Sequence, residues 1–197
     1  MHPLLDKYIC EKYPKIFIER NLPPTKSCMH WGLSVGNGWF SLIETLCKKI
    51  QYHIDSHNES VRRGYEWAIK IGEIPQVVAL QVKEKFAGLR FYYSGGDDKI
   101  SGMISVAEDL SYYICEDCGR MDEEVGRNKG GWIQTSCREH AHNSNDFTLN
   151  CKGELSEIWK KVKQDEKEAR EKAEKQFVKD KEERTEIQLM FDEISKV

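Results

Sequence analysis

Four residues in the middle of the chain constrain its fold more than any other feature. Cys115 and Cys118 form a CxxC pair, Cys137 and His140 form a CxxH pair, and 18 residues separate the two. Zinc takes four soft or borderline ligands in a tetrahedron, and two short knuckles supplying two ligands each meet that demand at this spacing. Gly119 directly after Cys118 suits the tight turn by which amides approach thiolate sulfur. His142 is an alternative to His140 as the fourth ligand. Residues 115–140 are too short and too polar to make a core of their own, so the ion is expected to act as a structural staple. Four protein ligands leave no open coordination position. The HExxH of metalloproteases and the deaminase order of His-x-Glu before Pro-Cys-x-x-Cys are both absent, and no catalytic residue is assigned. Cys10, Cys28, Cys47 and Cys151 show no comparable spacing; with seven cysteines and no export signal, the thiols are expected to be reduced.

Ahead of this site the periodicity predicts helices and one hairpin. Pro3 opens a short amphipathic helix carrying Leu4, Leu5, Tyr8 and Ile9, which Tyr13-Pro14 ends. Gly36-Asn37-Gly38 reads as a tight turn. Trp39, Leu42, Ile43, Leu46 and Ile50 recur at three- and four-residue steps, which predicts a helix of about 18 residues. A second helix is expected over Val61, Tyr65, Ala68 and Ile69, stopped by Gly72 and Pro75. From Gln76 the period becomes two. Val78, Leu80 and Val82 form one buried row and Leu89, Phe91 and Tyr93 another, with Ala87-Gly88 between the strands. Asp97 or Asp98 caps a further helix through Ile100, Met103, Ile104, Ala107, Leu110 and Ile114. The expected fold class is α+β, a β-hairpin or small antiparallel sheet packed by helices.

The composition changes after Cys151. Residues 152–197 carry 12 Lys and Arg against 13 Asp and Glu, with no proline, which predicts one long charged helix. Glu157/Lys161, Glu168/Lys172 and Glu171/Lys175 stand at helical i, i+4 spacing. A heptad-like seam from Leu155 is apolar at its start (Trp159, Val162), polar or small through its middle, and apolar again at Ile187, Met190 and Ile194, with Phe191 beside them. The first turns are expected to pack on residues 1–151 and the last to find a partner. A homodimer is permitted, while a continuous coiled coil is disfavoured.

Charge and aromatic content narrow the function classes. The net charge of −3 argues against a generally basic nucleic-acid coat. No stretch approaches the roughly 18 apolar residues needed to span a bilayer, and Met1–Cys10 lacks the layout of a secretory signal, so no membrane partner and a cytoplasmic location are expected. Alternation places Lys83, Lys85, Arg90 and Tyr92 together on the outer hairpin face, where cations beside a ring suit a phosphate or a base, or simply face water. Gly95-Gly96 is a poor phosphate cradle because Asp97 and Asp98 follow it. His53 and His57, four apart on a helix, permit a second metal or plain solvation. Trp31, Trp39, Trp67 and Trp132 are expected in the core or packed on the zinc knuckles, with an exposed aromatic anchor for a partner as the second reading.

Three segments taken together carry a resemblance: Cys28-Met29-His30-Trp31-Gly32 leading to Gly38-Trp39-Phe40; Val82-Lys83-Glu84-Lys85-Phe86-Ala87-Gly88-Leu89-Arg90-Phe91-Tyr92-Tyr93; and Cys115-x-x-Cys118-Gly119 with Gly131-Trp132-Ile133 and Cys137. Over about residues 8–140 the chain resembles a group of small zinc-binding proteins encoded by bacteriophages and prophages. The resemblance implies an accessory role in an infected bacterium and carries no activity with it; the tail after Cys151 departs from the group. The expectation is a binding protein acting without catalysis, an inhibitor of a host enzyme or anti-phage defence system, engaging a host or phage protein through the terminal helix and the hairpin. Two alternatives stand beside it: a nucleotide or nucleic-acid binder using the hairpin face, and a zinc-braced HNH-like nuclease.

Overall fold

The computed structural model describes residues 1–128, 131–141, 147–150 and 154–194, with side chains from 157 to 181 in the last stretch. The fold is α+β, and the chain divides into two units, Met1–Cys151 and Lys152–Val197. Among the described residues no helix is long and apolar enough to cross a membrane.

Helix α1 (Pro3–Lys12) begins with proline, whose missing amide would be unsatisfied there in any case. Its buried side chains are Ile9 and, unexpectedly, Asp6, whereas Leu4 and Tyr8 are exposed. A buried carboxylate must be paired. Asp6 accepts from the Leu33 amide at 2.8 Å and from the Arg20 guanidinium at 2.9 Å, which pins the loop before the next helix to α1.

Helix α2 (Phe40–Arg62) buries Ile43, Leu46, Cys47, Ile50 and Ile54, the stripe expected from three- and four-residue steps, but runs longer than expected. The second helix ends at Gly72 as expected but does not begin at Val61. α2 continues through Val61, the chain turns at Gly64 with φ +82°, and only the short α3 (Glu66–Ile71) follows, with Tyr65 and Ile69 exposed.

Strands β1 (Val78–Lys85) and β2 (Gly88–Ser94) pair antiparallel, with Val82 opposite Phe91, Lys83 opposite Arg90 and Lys85 opposite Gly88. A bulge between Ala79 and Gln81 reverses the phase of the first strand: Val77, Ala79 and Val82 are buried, and Leu80, expected inside, is 37% exposed. The hairpin edges are occupied. Ser34 exchanges backbone hydrogen bonds with Val82 and Glu84 beside β1, and the Ala79 amide donates to the Ile16 carbonyl. On the β2 side, side chains of α4 (Asp98–Ser111) accept from the Leu89 and Phe91 amides, through Ser111 Oγ and Glu108 Oε1, each at 2.8 Å.

Asp97, rather than Asp98, caps α4, accepting from the Ile100 amide at 2.9 Å. The core lies between α2, α4 and the hairpin, with Trp39, Ile43, Ile50, Val82, Leu89 and Ile100 fully buried. Of the four tryptophans expected inside, only Trp39 is buried; Trp31, Trp67 and Trp132 are more than half exposed. Burial of a large apolar side chain contributes about 1.5–3 kcal/mol, so this one cluster is the main source of cohesion in residues 1–114.

After Ile114 the chain forms a second, smaller sheet that periodicity does not announce. β3 (Val125–Asn128) lies between β4 (Thr135–Cys137) and β5 (Phe147–Leu149), all antiparallel. In the second unit a single helix, α5 (Glu154–Ile194), carries the charged tail. Its ion pairs differ from those expected: Glu157 pairs with Lys160 at 2.7 Å and Glu171 with Lys167 at 3.9 Å. Ile187, Met190, Phe191 and Ile194 lie on helical backbone, and their side chains are outside the described residues.

Candidate metal centre

The two knuckles come from different kinds of local structure. Cys115 follows the irregular turn after α4, and the Gly119 amide donates to the Cys115 carbonyl at 2.9 Å, with Gly119 at φ +80°. A left-handed residue closes this loop, and glycine adopts it without a Cβ clash. The Cys115 amide in turn donates to the Arg120 carbonyl at 2.8 Å. Cys137 ends β4, opposite Val125, and a single helical turn, Arg138–His140, brings the histidine back toward it.

The ligand atoms of Cys115, Cys118, Cys137 and His140 all lie within 4.8 Å of one another. Cys118 Sγ is 3.8 Å from Cys137 Sγ, and His140 Nδ1 is 3.9 Å from Cys115 Sγ and 3.1 Å from Cys137 Sγ. Three sulfurs and one imidazole nitrogen converging this closely could hold a metal ion. Burial pushes the Cys115 thiol up to about 11. At Cys137 burial also opposes ionisation, but hydrogen bonds from His140 outweigh it and bring that thiol down to about 7. The same contact raises His140. His142 and Cys151 lie outside the described residues.

Gly36-Asn37-Gly38 docks this centre on the core. A Cβ on Gly38 would lie 2.1 Å from the Cys115 carbonyl oxygen, and one on Gly36 would lie 2.2 Å from that of Glu116. Two backbones therefore meet where no side chain fits. The Gly38 amide donates to the Glu116 carbonyl at 2.7 Å, and the Gly36 amide to the buried Glu116 carboxylate at 2.8 Å. Burial raises the Glu116 pKa against that hydrogen bond. Trp39 Nε1 donates to the Ile114 carbonyl at 2.9 Å, one residue before the first ligand.

The centre also reaches the hairpin. Thr135 Oγ1 donates to the Ala87 carbonyl at 2.6 Å, and both residues are buried. Phe86 and Ala87 form the two-residue turn with φ +56° and +66°, a left-handed pair normally left to asparagine and glycine. The Ala87 amide donates to Glu84 at 2.7 Å. Phe86 is thereby held outward, 68% exposed, and Trp132 lies across from it, 77% exposed. Lys83, Glu84, Lys85, Phe86, Trp132 and Ile133 line a cleft of about 460 Å³ between them. Sequence reasoning missed Phe86 as a site residue and gave Trp132 an anchor role only as a second reading; for Phe86, a turn of Phe-Ala where Asn-Gly belongs was the available signal.

Of the hairpin residues expected to act together, Lys83, Lys85, Arg90 and Tyr92 do share one face by register. Arg90 is already engaged: it donates to Tyr112 Oη at 2.8 Å and to its own strand at Leu89 O. The two helical histidines do not converge on one point. His53 Nε2 lies 2.8 Å from Asp97, and His57 Nε2 lies 2.8 Å from the Gly72 carbonyl. His30 Nδ1 lies 2.8 Å from Leu22 O, and Cys28–Trp31 is a single helical turn that buries Met29. No family model, curated protein or solved structure matches this chain.

Proposed function

We propose that the chain is a binding protein that acts without catalysis, braced by a structural zinc ion at Cys115, Cys118, Cys137 and His140. The donor set carries this reading. Tetrahedral zinc with its usual bond lengths separates two sulfurs by about 3.8 Å and a sulfur from a nitrogen by about 3.6 Å. The sulfur pair at 3.8 Å and the sulfur–nitrogen pairs at 3.9 and 3.1 Å bracket those values. Four protein donors fill the tetrahedron, so water has no position at which the ion could activate it. A nuclease that activates water on this zinc is disfavoured for the same reason.

What the brace presents supports the rest of the reading. Thr135, two residues before a ligand, holds the turn that projects Phe86, and Trp132 precedes the same ligand strand. The resemblance to phage-encoded proteins supports work in an infected bacterial cytoplasm against a host enzyme or defence component. A second contact, with a host or phage protein, falls to α5, where Ile158, Trp159, Phe177 and Val178 are exposed.

Purified protein should contain about one zinc per chain, and cobalt(II) exchange should give a thiolate-rich tetrahedral spectrum that added azide leaves unchanged. A spectrum that shifts with azide reveals an open coordination position and overturns the non-catalytic reading.

A further inference from the structure

The outer hairpin face alternates cations with rings. Lys85 Nζ stands 5.2 Å over the Phe86 ring, and Lys83 Nζ stands 5.8 Å over Tyr92. Arg90 and Arg127 flank a third ring, Tyr112, at 5.8 and 5.0 Å. Trp132 closes the row across the cleft from Phe86. Gly88 admits Tyr112 to this face, since a Cβ there would meet the Tyr112 ring at 2.4 Å.

Lys83 sits directly opposite Arg90 in the strand register. Like charges directly across a ladder destabilise it. Two carboxylates stand nearby, each also held by a backbone amide: Glu84 accepts from the Ala87 amide, and Glu108, which favours the charged form of Arg90, accepts from the Phe91 amide. A chain of net charge −3 thus gathers four cations beside four aromatic rings. The Phe-Ala turn adds a second unfavourable feature at the same end, because left-handed backbone is costly for residues other than glycine.

Resting on the reading of this end as a binding surface, we propose that the hairpin face and the Phe86–Trp132 cleft bind single-stranded nucleic acid. Bases stack on Phe86, Trp132 and Tyr92, and the intervening phosphates meet Lys83, Lys85 and Arg127. Lys83 and Lys85 point the same way, roughly 6.6 Å apart along the strand, one phosphate step of an extended polynucleotide. The site is sequence-tolerant, since every base offers a π-face and no side chain here is arranged to read base edges.

The test is fluorescence anisotropy of the zinc-loaded full chain with a labelled 12-nucleotide oligothymidylate, the matching RNA, a duplex of equal length and a mononucleotide. The single strands should bind most tightly, quench tryptophan emission, and lose affinity with salt at a log–log slope of about −2 to −3, the value for three to four phosphates. Trp132→Ala should weaken binding roughly 5- to 150-fold, the range for losing one stacked base. Lys83→Gln should reduce the salt slope by about 0.7. Phe86→Gly separates structure from binding, because it relieves the left-handed turn: thermal stability should rise while affinity falls. Equal affinity for duplex or mononucleotide overturns the proposal, as does crosslinking of Phe86 or Trp132 variants to protein alone with no competition by oligonucleotide. If no oligonucleotide binds and the cobalt spectrum still reports a closed site, this assignment fails and the binding-protein reading stands. An azide-sensitive spectrum overturns that reading whatever the oligonucleotides do.

Discussion

Residues 1–114 and the described residues between 115 and 150 hold their shapes by different means. The first region closes around a continuous apolar cluster that reaches from Ile9 through α2 and the hairpin to Ala107. In the second, the buried hydrophobic cluster is Cys115, Val125 and Cys137, and two of these three are candidate metal ligands. A three-stranded sheet of four, three and three residues cannot bury enough apolar area to offset the ordering of its backbone, roughly 1–2 kcal/mol per residue. On the reading proposed above, ligand bonds to a metal supply in the second region what packing supplies in the first. The two should therefore fail under different insults.

Metal removal is the largest expected break. A strong chelator, or Cys115→Ser, should destabilise the protein by several kcal/mol and strip amide-exchange protection from residues 115–128 and 131–141 first, while α2 keeps more of its protection. Uniform protection with and without chelator would remove the distinction between the regions. Gly38→Ala attacks their junction. Its new Cβ would lie 2.1 Å from a backbone oxygen that cannot swing aside, so a loss of about 2–3 kcal/mol is expected in chemical denaturation with metal still bound. Thr135→Val cuts the other link and leaves the buried Ala87 carbonyl without this donor, costing about 1–2 kcal/mol.

The smallest effect belongs to the packed region. Asp97→Ala should cost about 1 kcal/mol through loss of the α4 cap, and leave metal content untouched. Burial opposes ionisation of Asp97, yet His53 and the Ile100 amide hold its pKa below the ordinary carboxylate value. A lowered carboxyl pKa stabilises the fold above the unfolded value, and that contribution disappears as pH falls through the folded one. The gap between wild type and Asp97→Ala should thus narrow below about pH 4 in denaturation curves.

The same contrast explains what could be read in advance. The stripe of α2, the hairpin and the α4 cap were legible because burial imposes a period on sequence. The donor set was legible for another reason, since ligand chemistry imposes residue type and spacing. What lay between these two signals was hidden. The β3–β5 sheet has strands too short to show alternation, and the bulge beside Leu80 depends on a third chain segment, Ile16, taking the Ala79 amide. Exposure of Trp31, Trp67 and Trp132 was ranked second to burial because a tryptophan reads as core until neighbours are known. Arg90 was assigned to the outer face, but its bond to Tyr112 requires knowing that Gly88 leaves space for that ring.

The occupied hairpin edges bear on aggregation. An isolated two-stranded ribbon is a template for strand addition, through which unrelated chains polymerise edge to edge. Here Ser34 and Ile16 line one border, while Ser111 and Glu108 take outward amides of the other. A visiting peptide finds the ladder positions at Leu89 and Phe91 already filled, so recognition by β-augmentation is blocked there. Whatever this protein holds must approach the sheet from above its plane, where side chains rather than backbone make the contact. Substituting Ser111 or Glu108 would reopen that border, and the predictable price is fibril formation before any loss of metal.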